Sequence, residues 1–122
     1  MATVLIVEDD KQVRVFAESY LRRQGHRTMS AATPEEALAL LDRDDVDVLF
    51  SEIALRGDSL AGVRLARQAA RGQPGIKVLY AGEHAVAERL KPLLFEPSIV
   101  LEKPYTVEQL RNGLTPGPGR AR

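Results

Sequence analysis

A length of 122 residues allows one hydrophobic core and leaves no room for two comfortable ones, and 44% hydrophobic with 28% charged residues is globular rather than fibrous or disordered composition. The 17 basic and 17 acidic side chains cancel, so no overall field draws the chain to nucleic acid or to an anionic membrane, and partners must be chosen locally. The absence of cysteine excludes disulfides, thiolate metal sites and cysteine nucleophiles, and suits a reducing compartment, with the cytoplasm as the expected location.

Thr3–Val7 is a short β-branched run bounded by acids, the pattern of a strand buried on both faces in a parallel sheet. It has no basic flank, is shorter than a signal sequence's apolar stretch and runs straight into Glu8-Asp9-Asp10; no other stretch approaches a membrane span. From Asp10, a good N-cap, Val13, Phe16, Ala17, Tyr20 and Leu21 recur at helical spacing until Gly25, which suits the position after a helix end. His26–Ala31 alternates weakly and reads as a second strand. Thr33-Pro34-Glu35-Glu36 is a capping box with proline at the first helical position, opening a second helix through Ala37, Leu38, Leu40 and Leu41.

Val46–Ser51 is the third strand and Ile76–Tyr80 the fourth, with a helix from about Leu60 to Arg71 between them. After Gly82 the pattern weakens: Ala85, Val86 and Leu90 suggest a short helix, which Pro92 and Pro97 interrupt. Ser98–Leu101 is a fifth strand, and Thr106-Val107-Glu108-Gln109 is a second capping box, opening a helix through Leu114. These elements make one domain, residues 1–114, followed by a tail at 115–122 whose Gly119-Arg120-Ala121-Arg122 end reads as solvated rather than as a nucleic-acid arm.

Five alternations of strand and helix imply a doubly wound parallel sheet with helices on both faces. The crevice of such a sheet lies at the carboxyl ends of its strands. Glu8, Asp9 and Asp10 follow the first strand, Glu52 the third, and Lys103 with Pro104 the fifth. Carboxylates gathered there repel one another, which a hard divalent cation such as Mg²⁺ would relieve. An acidic pocket with one lysine is the electrostatic form of a site for a metal and a phosphoryl group. In the simpler alternative, Asp9 and Asp10 only cap the first helix and Lys103 is solvated.

Four pieces in order, Val4–Asp10, Asp47–Ile53, Val78–Gly82 and Leu101–Tyr105, make nearly the whole chain resemble the receiver domain of bacterial two-component response regulators. The resemblance implies a flavodoxin-like three-layer sandwich with strand order 2-1-3-4-5. It also implies a Mg²⁺ site on Glu8, Asp9 and the backbone carbonyl of Ala54, a phosphate-contacting lysine at Lys103 and a cis peptide bond before Pro104. The position of the phospho-accepting aspartate falls on Glu52, whose carboxylate stands one methylene further out; a misplacement of about an ångström costs on the order of a hundredfold in rate. The switch hydroxyl falls on Ala81 and the switch aromatic on Val100, neither of which supplies the group. The loop after Glu52 has Arg56 where a proline is common, while Gly62 matches the glycine that closes it.

These departures lead to the expectation of a non-enzymatic, atypical stand-alone receiver in a phosphorelay, acting through protein interaction with a sensor histidine kinase or another signalling protein, or with a second copy as a homodimer. The alternative is a receiver that still accepts phosphate from a histidine kinase, on Glu52 or a neighbouring acid. Glu52 either mimics the phosphorylated state, with about one charge against the roughly one and a half to two of a phosphoryl group, or simply pairs with Lys103. Tyr105 serves a partner-facing surface or plain packing. Arg64, Arg67 and Arg71 form a solvated stripe, and His26 and His84 are loop or surface residues without a spaced zinc partner.

Overall fold

The computed structural model describes residues 1–115. Its elements, in chain order, are β1 (Thr3–Val7), α1 (Lys11–Arg23), β2 (Arg27–Ala31), α2 (Pro34–Arg43), β3 (Val48–Glu52), α3 (Ala61–Gly72), β4 (Lys77–Glu83), α4 (His84–Leu90), a 3-10 turn at Lys91–Leu93, β5 (Ser98–Lys103) and α5 (Val107–Gly113). All four strand pairings are parallel, as the alternating pattern implied, and the order is β2-β1-β3-β4-β5, as the resemblance implied.

Side chains alternate across each strand and so feed two cores. Leu5, Val7, Leu49, Val78 and Tyr80 pack under α2, α3 and α4. Val4, Ile6, Val48, Phe50 and Leu79 pack under α1 and α5. The result is the expected three-layer sandwich, with both faces of the sheet covered as a parallel sheet demands.

Local signals account for the element ends. The Asp10 carboxylate accepts the N–H groups of Gln12 and Val13, and Gly25 takes a φ of 91° just beyond α1. At Thr106 the capping box is complete, with Thr106 and Gln109 each accepting the other's backbone N–H. At Thr33 it is not reciprocal: Thr33 accepts from Glu36, but the Glu36 carboxylate reaches one residue further back, to the N–H of Ala32 at 2.8 Å.

Three strands end later than their sequence pattern suggests. β3 runs to Glu52 and starts at Val48; β4 takes in Ala81, Gly82 and Glu83; β5 extends to Lys103. Polar residues hide these ends from a hydrophobicity reading, yet the backbone pairing Glu52 with Ala81 and Glu83 with Lys103 continues the ladder. Glu52 and Lys103 are therefore rigid strand positions rather than loop residues. The short helix after Gly82 forms as α4, with Pro92 inside the 3-10 turn that follows it. The peptide bonds before Pro97 and Pro104 are both cis. Of the expected tail only Thr115 lies within the described residues, where its carbonyl accepts a hydrogen bond from Lys77; the Gly119–Arg122 end lies outside them.

Candidate functional site

With β1 flanked by β2 and β3, the order of the sheet reverses at β1, and the crevice opens at the carboxyl ends of β1 and β3. Glu8 leaves β1 there. It is buried, 6% exposed, and its backbone N–H donates to Ala31 while its Oε2 accepts the N–H of Asp10 at 3.0 Å. Arg14, one turn into α1, donates to the Glu8 carbonyl at 2.8 Å and fixes the chain leaving β1.

Asp9 is exposed, and its Oδ2 accepts the backbone N–H of Arg56 at 2.8 Å. That bond holds its carboxyl below the usual range, because a carboxylate accepts it better than a carboxylic acid. The loop so anchored turns through Arg56 and Gly57, both at positive φ (52° and 76°), and is closed by mutual backbone bonds between Leu55 and Asp58. Ala54 lies half-buried in the same loop. Gly62 donates to the Ile53 carbonyl at 2.8 Å, and a Cβ on it would stand 2.1 Å from the Glu52 carbonyl oxygen, so this close approach of α3 to the end of β3 requires glycine.

Glu52 turns its side chain into a narrow cleft lined by Glu8, Val13, Phe50, Ala81 and Tyr105. Lys103 enters from β5 and places Nζ 2.5 Å from Glu52 Oε1 and 3.6 Å from Glu8 Oε1. Glu52 Oε1 is buried, and the Lys103 ammonium is its charged neighbour. Burial raises the Glu52 carboxyl to about 7; Lys103 opposes the rise and the negative charge of Glu8 adds to it. For Lys103, burial disfavours the ammonium, but the carboxylates of Glu52 and Glu8 more than offset this and its pKa rises.

Ala81 lies opposite Glu52 in the β3–β4 register, buried, with only a methyl group facing the pocket. Val100 is half-buried and packs into the core under α2, α3 and α4. Tyr105 stacks edge-on against Phe50, ring centres 5.9 Å apart, so it packs inward over the cleft. Arg64 pairs with Asp58 and Arg67 donates to the Leu93 carbonyl, so two arginines of the expected solvated stripe are engaged within the chain. His26 accepts the N–H of Ala2. His84 meets Glu102 across β5, a neighbour that spacing along the chain did not disclose.

The structure thus brings Glu8, Glu52, Lys103 and Ala81 together, with Asp9 and the Ala54 loop at the rim. Glu8, Asp9 and the Ala54 carbonyl are hard oxygen donors of the type Mg²⁺ takes. Three carboxylates against one ammonium leave about two negative charges when all are ionised, which a divalent cation would balance. The carboxylates of Glu8, Asp9 and Glu52 do not all come within 4.8 Å of one another, and Lys103 lies between Glu8 and Glu52 in contact with both.

Residues 4–115 match the response regulator receiver domain family. Over 112 residues the chain is 29% identical to the sensor kinase CckA of Brucella abortus, covering 89% of this chain and 12% of that one. It is also 39% identical over 57 residues to the transcriptional regulatory protein AfsQ1 of Streptomyces coelicolor, covering 47% of this chain and 25% of that one, so it spans only a small part of these relatives. Among solved structures, a response regulator receiver protein from Sinorhizobium medicae superposes with a TM-score of 0.83 at 24% identity, covering 92% of this chain and 90% of that chain, and shares the fold.

Proposed function

This chain belongs to the response regulator receiver domain family of two-component signalling, and from that premise we propose that it is a docking module whose switch is set by the Glu52–Lys103 pair rather than by phosphate. The receiver unit is residues 1–114, with 115–122 a tail. The observation that carries the reading is the Lys103 ammonium 2.5 Å from Glu52 Oε1. In the family this lysine contacts phosphoryl oxygens, and here a fixed carboxylate already occupies it. Ala81 and Val100, the degenerate switch positions, offer no hydroxyl to read a phosphate and no aromatic ring to swing.

Glu8, Asp9 and the Ala54 carbonyl would hold Mg²⁺, which would supply positive charge to the acidic pair. Around them the chain's own residues do the rest: Arg14 and Asp10 fix Glu8, the Arg56 N–H orients Asp9, and Lys103 keeps Glu52 in place. Such a module acts by binding, without catalysis of its own. Its partner is a sensor histidine kinase or another signalling protein, or a second copy, docking on exposed apolar residues such as Phe16 on α1, Ile99 on β5 and Val107 on α5. Among the described residues no helix is long and apolar enough to cross a membrane, and a cytoplasmic setting suits a kinase partner. Neither nucleic acid nor membrane is proposed as a ligand.

The test is backbone amide NMR on the chain alone. Mg²⁺ with beryllofluoride, a phosphoryl mimic, is expected to move amides near Glu8 and Asp9 only. Glu52→Gln, which removes the carboxylate, is expected to shift amides along β4 and β5. Beryllofluoride-dependent shifts running through β4, β5 and α5 of the natural chain would overturn the proposal and favour a receiver that still accepts phosphate.

A further inference from the structure

His84 and Glu88 stand four residues apart on α4 and so share one face of the helix. Glu102 reaches the same place from β5, because the β4–β5 register pairs Gly82 with Glu102 just before the chain enters α4. The imidazole Nδ1 lies 2.9 Å from Glu102 Oε2, and one ligand atom from each of the three residues lies within 4.8 Å of the other two. Among the described residues no other histidine-and-carboxylate group is gathered in this way.

A plain ion pair between His84 and Glu102 needs one carboxylate. Glu88 brings a second to the same ring although all three side chains are exposed and have water to extend into. Protonated His84, which both carboxylates favour, would balance one of the two charges, whereas a divalent ion balances both. We propose that His84, Glu88 and Glu102 form a surface site for a borderline divalent metal ion, represented by Zn²⁺, that ties the start of α4 to β5.

The donor set selects the metal. Imidazole suits Zn²⁺, Ni²⁺ and Cu²⁺ rather than Mg²⁺ or Ca²⁺, and two carboxylates supply the charge that a divalent ion neutralises. Tetrahedral ligand atoms on Zn²⁺ with bonds of about 2.0–2.2 Å stand roughly 3.3–3.6 Å apart, a geometry that exposed side chains separated by 4.8 Å or less reach by small rotations. The helix has a use for such a clip: α4 spans 7 residues, and Glu83 at its N-cap makes no side-chain hydrogen bond to its first turn. Lys103 follows Glu102 directly, but side chains alternate along a strand, so this site and the Glu8–Glu52–Lys103 cleft lie on opposite faces of β5.

Calorimetric titration of the chelator-treated full chain with zinc chloride tests the assignment. One saturable equivalent is expected, abolished by His84→Ala, retained in His26→Ala, and weakened in Glu88→Gln and in Glu102→Gln by more than the roughly tenfold that even an outer-shell partner carries. Circular dichroism of each variant establishes that it is folded, which exposed positions should permit. Absence of saturable binding, or binding of equal strength in folded His84→Ala, would overturn the proposal.

Discussion

At Glu52 a carboxylate is carried into a half-enclosed pocket and kept there by one ammonium. The arrangement fixes the sign of a pH effect. An unfolded glutamate releases its proton near 4.5, whereas folded Glu52 keeps its proton to about 7. Between these values the folded state binds more protons than the unfolded one, so this group's contribution to stability falls as pH rises through that window. Lys103, raised from 10.5, stays charged across the window and adds no slope there. Glu52→Gln is therefore expected to flatten the loss of stability between about pH 5 and about pH 8, read from urea midpoints at the two ends. An equal loss in the variant would mean that Glu52 is not the titrating group. The identities at this site were legible in the sequence because motifs name residues. Its geometry was legible only in part: the Glu52–Lys103 pair was among the expected readings, whereas the contact of Lys103 with Glu8 was not.

Elements position these side chains, and here glycine separates two kinds of effect. Gly62→Ala would drive a Cβ to within 2.1 Å of the Glu52 carbonyl and 2.7 Å of the Ile53 carbonyl, both backbone atoms that cannot swing aside. A loss of about 3 kcal/mol or more is expected, with displacement of the β3 end that carries Glu52. Gly72→Ala at the end of α3 meets nothing within 4 Å and should gain up to about 1 kcal/mol from helix propensity. Thermal or urea unfolding of the two variants checks both signs. Element types and order could be read from β-branched runs, the Asp10 cap and the Thr106 capping box, since these are local signals. Strand lengths could not, because Glu52, Gly82 and Lys103 join the ladder through backbone pairing to which hydropathy is blind. Gln73 was equally silent, although its side chain binds Val46, Leu41 and Asp44 and so closes the turn between α2 and β3 from the far end of α3. The clustering of His84 with Glu88 and Glu102 corrects the expectation that His84 lacks a spaced partner, because Glu102 arrives only through the β4–β5 register.

For the whole molecule, the two-faced sheet and its crevice make a rigid frame in which four strand ends meet. The fold follows from alternating elements, whereas the proposed state of the switch rests on three positions, Glu52, Ala81 and Val100, that no pattern of hydrophobicity distinguishes. Glu52 is proposed to hold Lys103 and not to accept a phosphoryl group. Intact-mass spectrometry after incubation with Mg²⁺ and a small phosphodonor measures this directly, on the natural chain and on Glu52→Asp combined with Ala81→Thr. The natural chain is expected to keep its mass, while the double variant, with the shorter acid and a hydroxyl in place, gains one phosphoryl group. A stable phosphoryl adduct on Glu52 of the natural chain would contradict the account.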